Sequence, residues 1–571
     1  MHPGEASRLW RNEAWIALAV YLGATIWIFH PIWPHLSSAV IGAPSDNVGY
    51  LWTLWYGHDA LLGERSLLET QLVFHPDGTS LAYHVYSWLN LLLALPLRPF
   101  LELPAIYNLL ILQTFPVAGL GAFLLARLWV RDSFAALVAG FLYAFNPVHC
   151  AYSLVQINSA SIQLLPFFLF FFVRTLRRPG WTSRLAASFF FLLNAMASWY
   201  YLVHALLLLA LWIAFAAVRE GLPGAVRMLR ETSRVAGLGM LPLAPWIAFM
   251  VGSAVGHPRV GEAVGHDLFV ADLFGFFVPH SLHRLGDWPI VASMNARYTG
   301  NVPGQTAYLG WVAIAFAAHA LARSPRRAAA WRLALPALAF AVLAMGSHLH
   351  VAGVVTSVPL PTALLESIPL LGSARVPNRA LVVTYLFLAV LAAWGLADAR
   401  RRLRSASAGR LLAAVACLLV WLDGPTVLHG RTPFDPPAAY ARIPRDEPGA
   451  GLVDLPLTPT NAALYLAYQT RHGLPVVEGY VGRQLEPSLL ERIRSLPPRD
   501  QLEALRRGRV RWIVVHKDPP QLAERAPRVR AFWIALGVPI HFEDDRVTIF
   551  RIPERADRTD QEPLRSRETS A

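Results

Sequence analysis

The chain reads as a polytopic α-helical membrane protein that ends in a small α/β domain. Three observations predict it. Of 571 residues, 55% are hydrophobic and 15% charged, with a mean hydropathy of +0.40, too apolar for a soluble protein. Apolar runs of roughly 17–25 residues, the length that crosses a bilayer, recur up to about residue 428. Beyond residue 429 they stop, and short β-like runs alternate with helical patterns.

Taken in order, the predicted spans lie near 14–33, 106–128, 133–149, 160–174, 185–198, 201–218, 235–252, 306–322, 331–346, 379–397 and 411–428, about eleven. The first follows Arg8-Leu9-Trp10-Arg11 and shows no small-residue cleavage site, so it is expected to stay attached. With the N-terminus inside, Arg127 and Arg131 fall inside, as do Arg174 to Arg184 and Arg219 to Arg234. Arg323 to Arg327 and Arg400 to Arg410 follow on the same side. This holds only if the apolar stretch 85–102, interrupted by Pro96, Arg98 and Pro99, lies on the outer surface without crossing.

The expected organisation is a membrane domain over 1–428 with outer loops at 34–105 and 253–305. An extracytoplasmic α/β domain follows over 429–555, then a disordered polar tail over 556–571. The strand-like runs of the outer domain are 451–456, 511–516 and 546–550, and helical patterns occupy 486–507 and 521–536. The whole is expected in the inner membrane of the cell, in contact with membrane lipid.

The net charge of +13 does not point to nucleic acid. The arginines sit in short clusters between apolar runs, as the positive-inside rule requires, and Lys517 is the only lysine. Cys150 and Cys417 are too few for a disulfide framework. Transporters and flippases need ionisable groups at mid-membrane depth. Here the span interiors offer mainly His204 and His319, and the titratable groups gather in the outer loops. That distribution favours a reaction at the outer interface.

The richest loop opens on Gly42-Ala43-Pro44-Ser45 and continues Asp46-Asn47-Val48-Gly49-Tyr50. Asp46 and Tyr50 are four apart and share a face of a helix that carries Trp52, Trp55, Tyr56, His58 and Asp59 to a stop at Gly63. Asp46 and Ser45 are also good helix caps, the plainer role for that carboxylate. Loop 253–305 holds His257, His266, Asp267, Asp272, His280, His283 and Asp287, a set open to a divalent metal but irregularly spaced. Within it 267–277 reads as an amphipathic surface helix that places Asp272 toward the membrane. Arg375 and Arg379, four apart around Pro377, are a close arginine pair on the outer side, suited to phosphate oxygens or to headgroup anchoring.

PSDNVGYLW, FHPDGTSLAYH, FNPVHCAYSLVQIN, SWYYL, LLGSARVPNRA, VDLP and RHGLPVVEGY, in this order, resemble the GT-C integral membrane glycosyltransferases, in a bacterial branch. The layout covers most of the chain, and each motif is short. The resemblance implies transfer of a sugar from a polyprenyl-phosphate lipid donor to a glycan or lipid acceptor of the envelope. It implies that Asp46 is the base or positions the acceptor; Tyr50 joins it as a catalytic candidate, and Arg375, Arg379, His58, Asp272, His149 and Gln156 are the candidates for substrate binding. No cofactor is required by it, although a divalent metal stays open. Two positions depart from the family pattern. Asn47 stands where the family has a paired acid, and the short outer loop 146–159 offers only His149, Gln156 and Asn158. A catalytically silent scaffold for envelope assembly, binding through its outer domain, fits the same layout.

Overall fold

The computed structural model describes residues 3–254, 267–366 and 375–554, apart from 404, 446, 448, 459–460, 483, 485 and 519–523. His257, His266 and the tail 556–571 lie outside the described residues. The chain forms two compact units. One runs to Arg65 and from Ala82 to Phe434; the other joins Ser66–Leu81 to the chain from Asp435.

The first unit is helical. Helix occupies each of the eleven predicted apolar runs. By length and composition, five helices among the described residues can cross a membrane: Leu103–Ala126, Ile157–Arg177, Trp199–Ser253, Arg327–Ala344 and Pro377–Arg402. A sixth is added if the bent pair Ser133–Ala144 and Pro147–Ser153 is one span. The bend of 43° follows from sequence. Asn146 caps the second piece by accepting from the His149 amide at 2.9 Å, and Pro147 takes the first helical position, where no amide is needed. Shorter apolar helices include Asn12–Ile28, Trp311–Arg323 and Ala406–Leu422.

Packing sorts these helices. The apolar window of Pro377–Arg402 is 100% buried, as expected of a helix apolar all round. Gly395 lets it approach Trp311–Arg323, since a Cβ there would sit 1.8 Å from the Phe316 carbonyl oxygen. Tyr21 of the first helix enters between Gly119 and Gly140 and donates to the Leu137 carbonyl at 2.8 Å. Trp199–Ser253 and Arg327–Ala344, only 39% buried over their apolar windows, form the outer layer. The long helix kinks at Gly221, whose φ of 67° suits glycine.

One sequence expectation fails in this unit and another is narrowed. Residues 267–277 form no surface helix; they make turns and one 3-10 turn at Phe274–Phe276. In 85–102, helix covers only Trp88–Leu97.

The second unit is α/β. Its four-stranded sheet has the order Gly451–Leu455, Val510–His516, Val547–Arg551, Ile540–Glu543, with the first two parallel and the rest antiparallel. Val453, Val477, Ile513, Val515, Trp533 and Phe550 fill its core against Pro498–Arg507 and Ala526–Ala535. Segment 66–81, which sequence leaves inside the outer loop, joins this unit, with its own two-stranded pairing of Glu69–Thr70 and Thr79–Ser80. The Val476 amide donates to the Leu72 carbonyl at 2.9 Å, the His75 amide to the Val476 carbonyl at 3.0 Å, and Gln469 Nε2 reaches Leu72 at 2.6 Å. A fragment of residues 435–554 is therefore expected to melt several degrees below the same fragment with 66–81 linked to it. Equal melting temperatures would show that the segment contributes nothing.

Candidate functional site

The site is built at one end of the first unit, where residues of the loop 146–159 meet the Asp46–Leu61 helix. Asn47 and Asn108, both fully buried, fix the approach. Asn47 Nδ2 donates to the Ile41 carbonyl at 2.8 Å and its Oδ1 accepts from the Ser45 amide at 2.9 Å. Asn108 Oδ1 accepts from the Ile41 amide, and its Nδ2 donates to Leu36 and Ala39. The residue standing where the family has a second acid is thus an amide that holds backbone. Ala39–Ile41 also pairs antiparallel with Arg431–Pro433.

Asp46 is the first residue of its helix, and Ser45, the capping residue, makes no side-chain cap bond. The Asp46 carboxylate turns instead to the loop 146–159, where its Oδ2 accepts from Gln156 Nε2. One turn on, Tyr50 donates to Asn158 Oδ1 at 2.6 Å. The shared helix face predicted for Asp46 and Tyr50 therefore meets two polar side chains two residues apart.

Gln156 continues the chain of contacts. Its Oε1 accepts from Ser159 Oγ at 3.0 Å and from an Arg379 terminal nitrogen. Arg379 lies on the 3-10 turn Pro377–Ala380 that starts the buried helix. Asn378 anchors that turn, donating from Nδ2 to the Thr306 carbonyl at 2.9 Å and from its amide to Phe269. Arg379 is 7% exposed. Its guanidinium carbon lies 4.1 Å from the ring centroid of Tyr200 and 5.4 Å from that of Tyr152. Nε has no hydrogen-bond partner, and no carboxylate lies within ion-pair distance of Arg379 among the described residues. A buried cation held by aromatic faces and one amide is costly in water-free surroundings and prepared for an anion.

The other predicted residues do not join this network. Arg375 is exposed and precedes Pro377 in an extended segment, so four-residue spacing does not stack it on Arg379. His58 sits three turns along the helix from Asp46, about 18 Å at 1.5 Å per residue, and bonds Asp59 at 3.3 Å. His149 is fully buried. It stacks on Phe115 at 4.0 Å and uses both ring nitrogens, on Thr114 Oγ1 and on the Ala144 carbonyl, which leaves none for substrate. Asp272 is spent on backbone. Oδ1 accepts from the Phe274 and Ala352 amides and Oδ2 from Gly353, which holds the tight turn joining His348–Val351 to Val354–Pro359. No group of three metal-capable side chains converges among the described residues. Tyr152, Tyr200, Ser159 and Tyr201, which donates to the Ser159 carbonyl, were not singled out from sequence. The aromatic pair inside SWYYL at a span end was the available signal.

No protein-family model and no curated protein sequence matches the chain. Solved structures do resemble it. The arabinofuranosyltransferase AftD from Mycobacteria is similar at a TM-score of 0.58 and 15% identity, over 95% of this chain and 40% of that one. The Archaeoglobus fulgidus oligosaccharyltransferase in its apo form gives 0.53 and 12%, over 88% of this chain and 69% of that one. ArnT from Cupriavidus metallidurans, bound to undecaprenyl phosphate, gives a weaker 0.42 and 13%, over 94% and 98%. These neighbours are GT-C glycosyltransferases, and the chain has the polytopic membrane fold of AftD and the oligosaccharyltransferase.

Proposed function

We propose that the chain is a GT-C glycosyltransferase that moves a sugar from a polyprenyl-phosphate donor to an envelope acceptor at the outer face of the inner membrane. The observation that carries this reading is the Asp46–Gln156–Arg379 network, a carboxylate and an unpaired buried guanidinium joined by one amide. In the reaction, an acceptor hydroxyl oxygen attacks the anomeric carbon while the bond from that carbon to the phosphate oxygen breaks. Asp46 takes the hydroxyl proton, and Arg379 stabilises the charge gathering on the departing lipid phosphate. Gln156, bonded to both, sets their spacing. Tyr50 fixes the loop that carries Gln156 by holding Asn158.

The topology has physical support. Glu13 pairs with Arg127, Asp132 with Arg400, and Asp398 with Arg402 and His319; Arg177 also reaches the Leu128 carbonyl. These contacts gather the basic clusters at one end of the helix bundle. Arg402 and Arg379 are at opposite ends of one helix, about 35 Å apart along it, close to a hydrocarbon core of about 30 Å. With the basic end cytoplasmic, this reading has the site face outside. The helix Trp88–Leu97, about 15 Å long, is too short to cross, which supports a non-crossing 85–102 segment and, with the one-sided arginines, an extracytoplasmic second unit.

Reporter fusions at Arg177 and Arg499 are expected on opposite sides of the membrane; finding both on one side would end this topology. The function itself is tested in liposomes carrying polyprenyl-phosphate sugars and an extracted envelope glycan. Expected is sugar transfer with stoichiometric release of polyprenyl phosphate. No transfer from any donor sugar would leave the silent scaffold as the reading.

A further inference from the structure

The first unit exposes a patch of apolar side chains that the transfer site does not use. It centres on the hairpin of His348–Val351 and Val354–Pro359, where Val354 is 65% exposed, Val355 50% and Val358 49%. Val354 and Val355 are consecutive in the strand and point to opposite faces, so both faces of the hairpin are apolar and open. Leu273, Phe274 and Phe277 are exposed on the turns beside it, where the Leu273 amide donates to the His350 carbonyl at 3.0 Å. From Val351 to Leu365 the sequence carries no charged residue.

Two bonds set the level of this patch against the apolar helices. The hairpin opens at His348, just after Ala344 ends a helix long enough to cross the membrane, and the Ala271 amide donates to the Ala344 carbonyl at 2.9 Å. Trp311, the first residue of the apolar helix Trp311–Arg323, is 49% exposed and donates from Nε1 to the Phe277 carbonyl at 2.9 Å. An indole at a span end marks the boundary between acyl chains and headgroups. The strand edge is poorly made for a protein partner. An exposed strand recruits another through free backbone groups, and bulges and prolines block that pairing. Here the register shifts between His348 and His350, Thr356 Oγ1 takes the Val358 amide at 3.3 Å, and Pro359 has no amide.

We infer that Val354–Pro359 and the turns around Leu273 to Phe277 form a non-helical wedge that inserts its side chains among the upper acyl chains of the bilayer. The backbone stays at headgroup depth, because a strand with an open edge has no partners for its polar groups in hydrocarbon. Lipid fits both open faces at once, whereas an added strand would cover only the edge. The wedge also borders the transfer site. The Asn378 amide donates to the Phe269 carbonyl at 3.2 Å, and Asn378 precedes Arg379 on the same 3-10 turn. A wedge resting in lipid therefore holds the Arg379 turn at the depth of a lipid phosphate. Only that consequence, and the assignment to the outer leaflet, rest on the proposed function and topology.

The test is depth-dependent quenching of a fluorescent label on the full chain in phosphatidylcholine nanodiscs, which are open to solutes on both faces. The label is placed on Val355→Cys in a Cys417→Ala background, since Cys417 is exposed and Cys150 is buried. Arg499→Cys, exposed on a helix of the second unit, is the aqueous control. Lipid carrying a nitroxide near the headgroup end of its acyl chain should quench the label at Val355 at least about twofold more than the control. Lipid carrying it near the methyl end should quench less, and iodide should quench the control more. Val358→Cys, exposed on the same strand, repeats the measurement if the first variant fails to fold. Quenching of both sites by iodide and not by nitroxide lipid would overturn the inference and leave the hairpin in water. Protection from both quenchers would overturn it in favour of a protein partner. Turnover is not read, so a chain that transfers no sugar can pass this test and an active one can fail it.

Discussion

Asp46→Asn is expected to lower sugar transfer in liposomes by about 10²–10⁴-fold, the contribution of a positioned general base. The substitution is close to isosteric. An asparagine oxygen can still accept from Gln156 Nε2, so the link toward Arg379 survives while the proton acceptor is lost. The helix should survive as well, because Ser45 occupies the capping position and Asp46 only adds a favourable charge in the first turn. Losing that charge costs roughly 0.3–1 kcal/mol. The measurement is turnover with a polyprenyl-phosphate sugar, beside a melting curve of the same preparation. Turnover within about threefold of the parent would remove Asp46 from catalysis. A collapse in melting temperature alongside lost turnover would make its role structural.

Parts of this arrangement were legible in the sequence for simple reasons. Apolar runs of span length became helices because burial in lipid leaves backbone groups no other partner. Asp46 and Tyr50 shared a face because the four-residue period is local to one helix. The same period misled at Arg375 and Arg379. Spacing assumes helix, and Pro377 holds the residues before it extended, so Arg379 alone enters the network.

Buried polar residues were the harder class. Asp272 and His149 carry the right chemistry for substrate, yet each is consumed by neighbours that only folding brings near: turn amides for one, Thr114 and Ala144 for the other. Gln156 was picked from a loop poor in acids, but its bridging position depends on residues 110 and 223 positions away. In the second unit the strand-like runs near 451, 511 and 546 were visible from their β-branched content. Helix Ala462–His472 and strand Ile540–Glu543 were not, nor was the joining of 66–81 to this unit. That joining rests on backbone hydrogen bonds, which no side-chain pattern announces.

Arg379→Met should lower transfer about 10²–10³-fold while leaving the protein at least as stable as the parent, and this pairing of outcomes is the sharper test. Arg379 is buried, with no carboxylate partner among the described residues, its Nε is unsatisfied, and its guanidinium is held by Tyr200, Tyr152 and Gln156. A charge kept out of water in this way costs stability, and exchanging such a group for an apolar one of similar length is often neutral or stabilising. A residue retained only for structure would show the reverse: lower melting temperature and turnover reduced only as the folded fraction falls. If the guanidinium grips the lipid phosphate, its loss should cost about 10²–10³ in turnover, as for a lost donor to developing negative charge. Arg379→Lys keeps the charge but not the planar fork, so it should recover part of the activity and none of a two-point grip. Undecaprenyl phosphate supplies an independent readout. A ligand bound only by the folded state raises its melting temperature, so the parent should be stabilised and Arg379→Met should not. An equal shift in both proteins would place the lipid phosphate elsewhere and remove Arg379 from the mechanism.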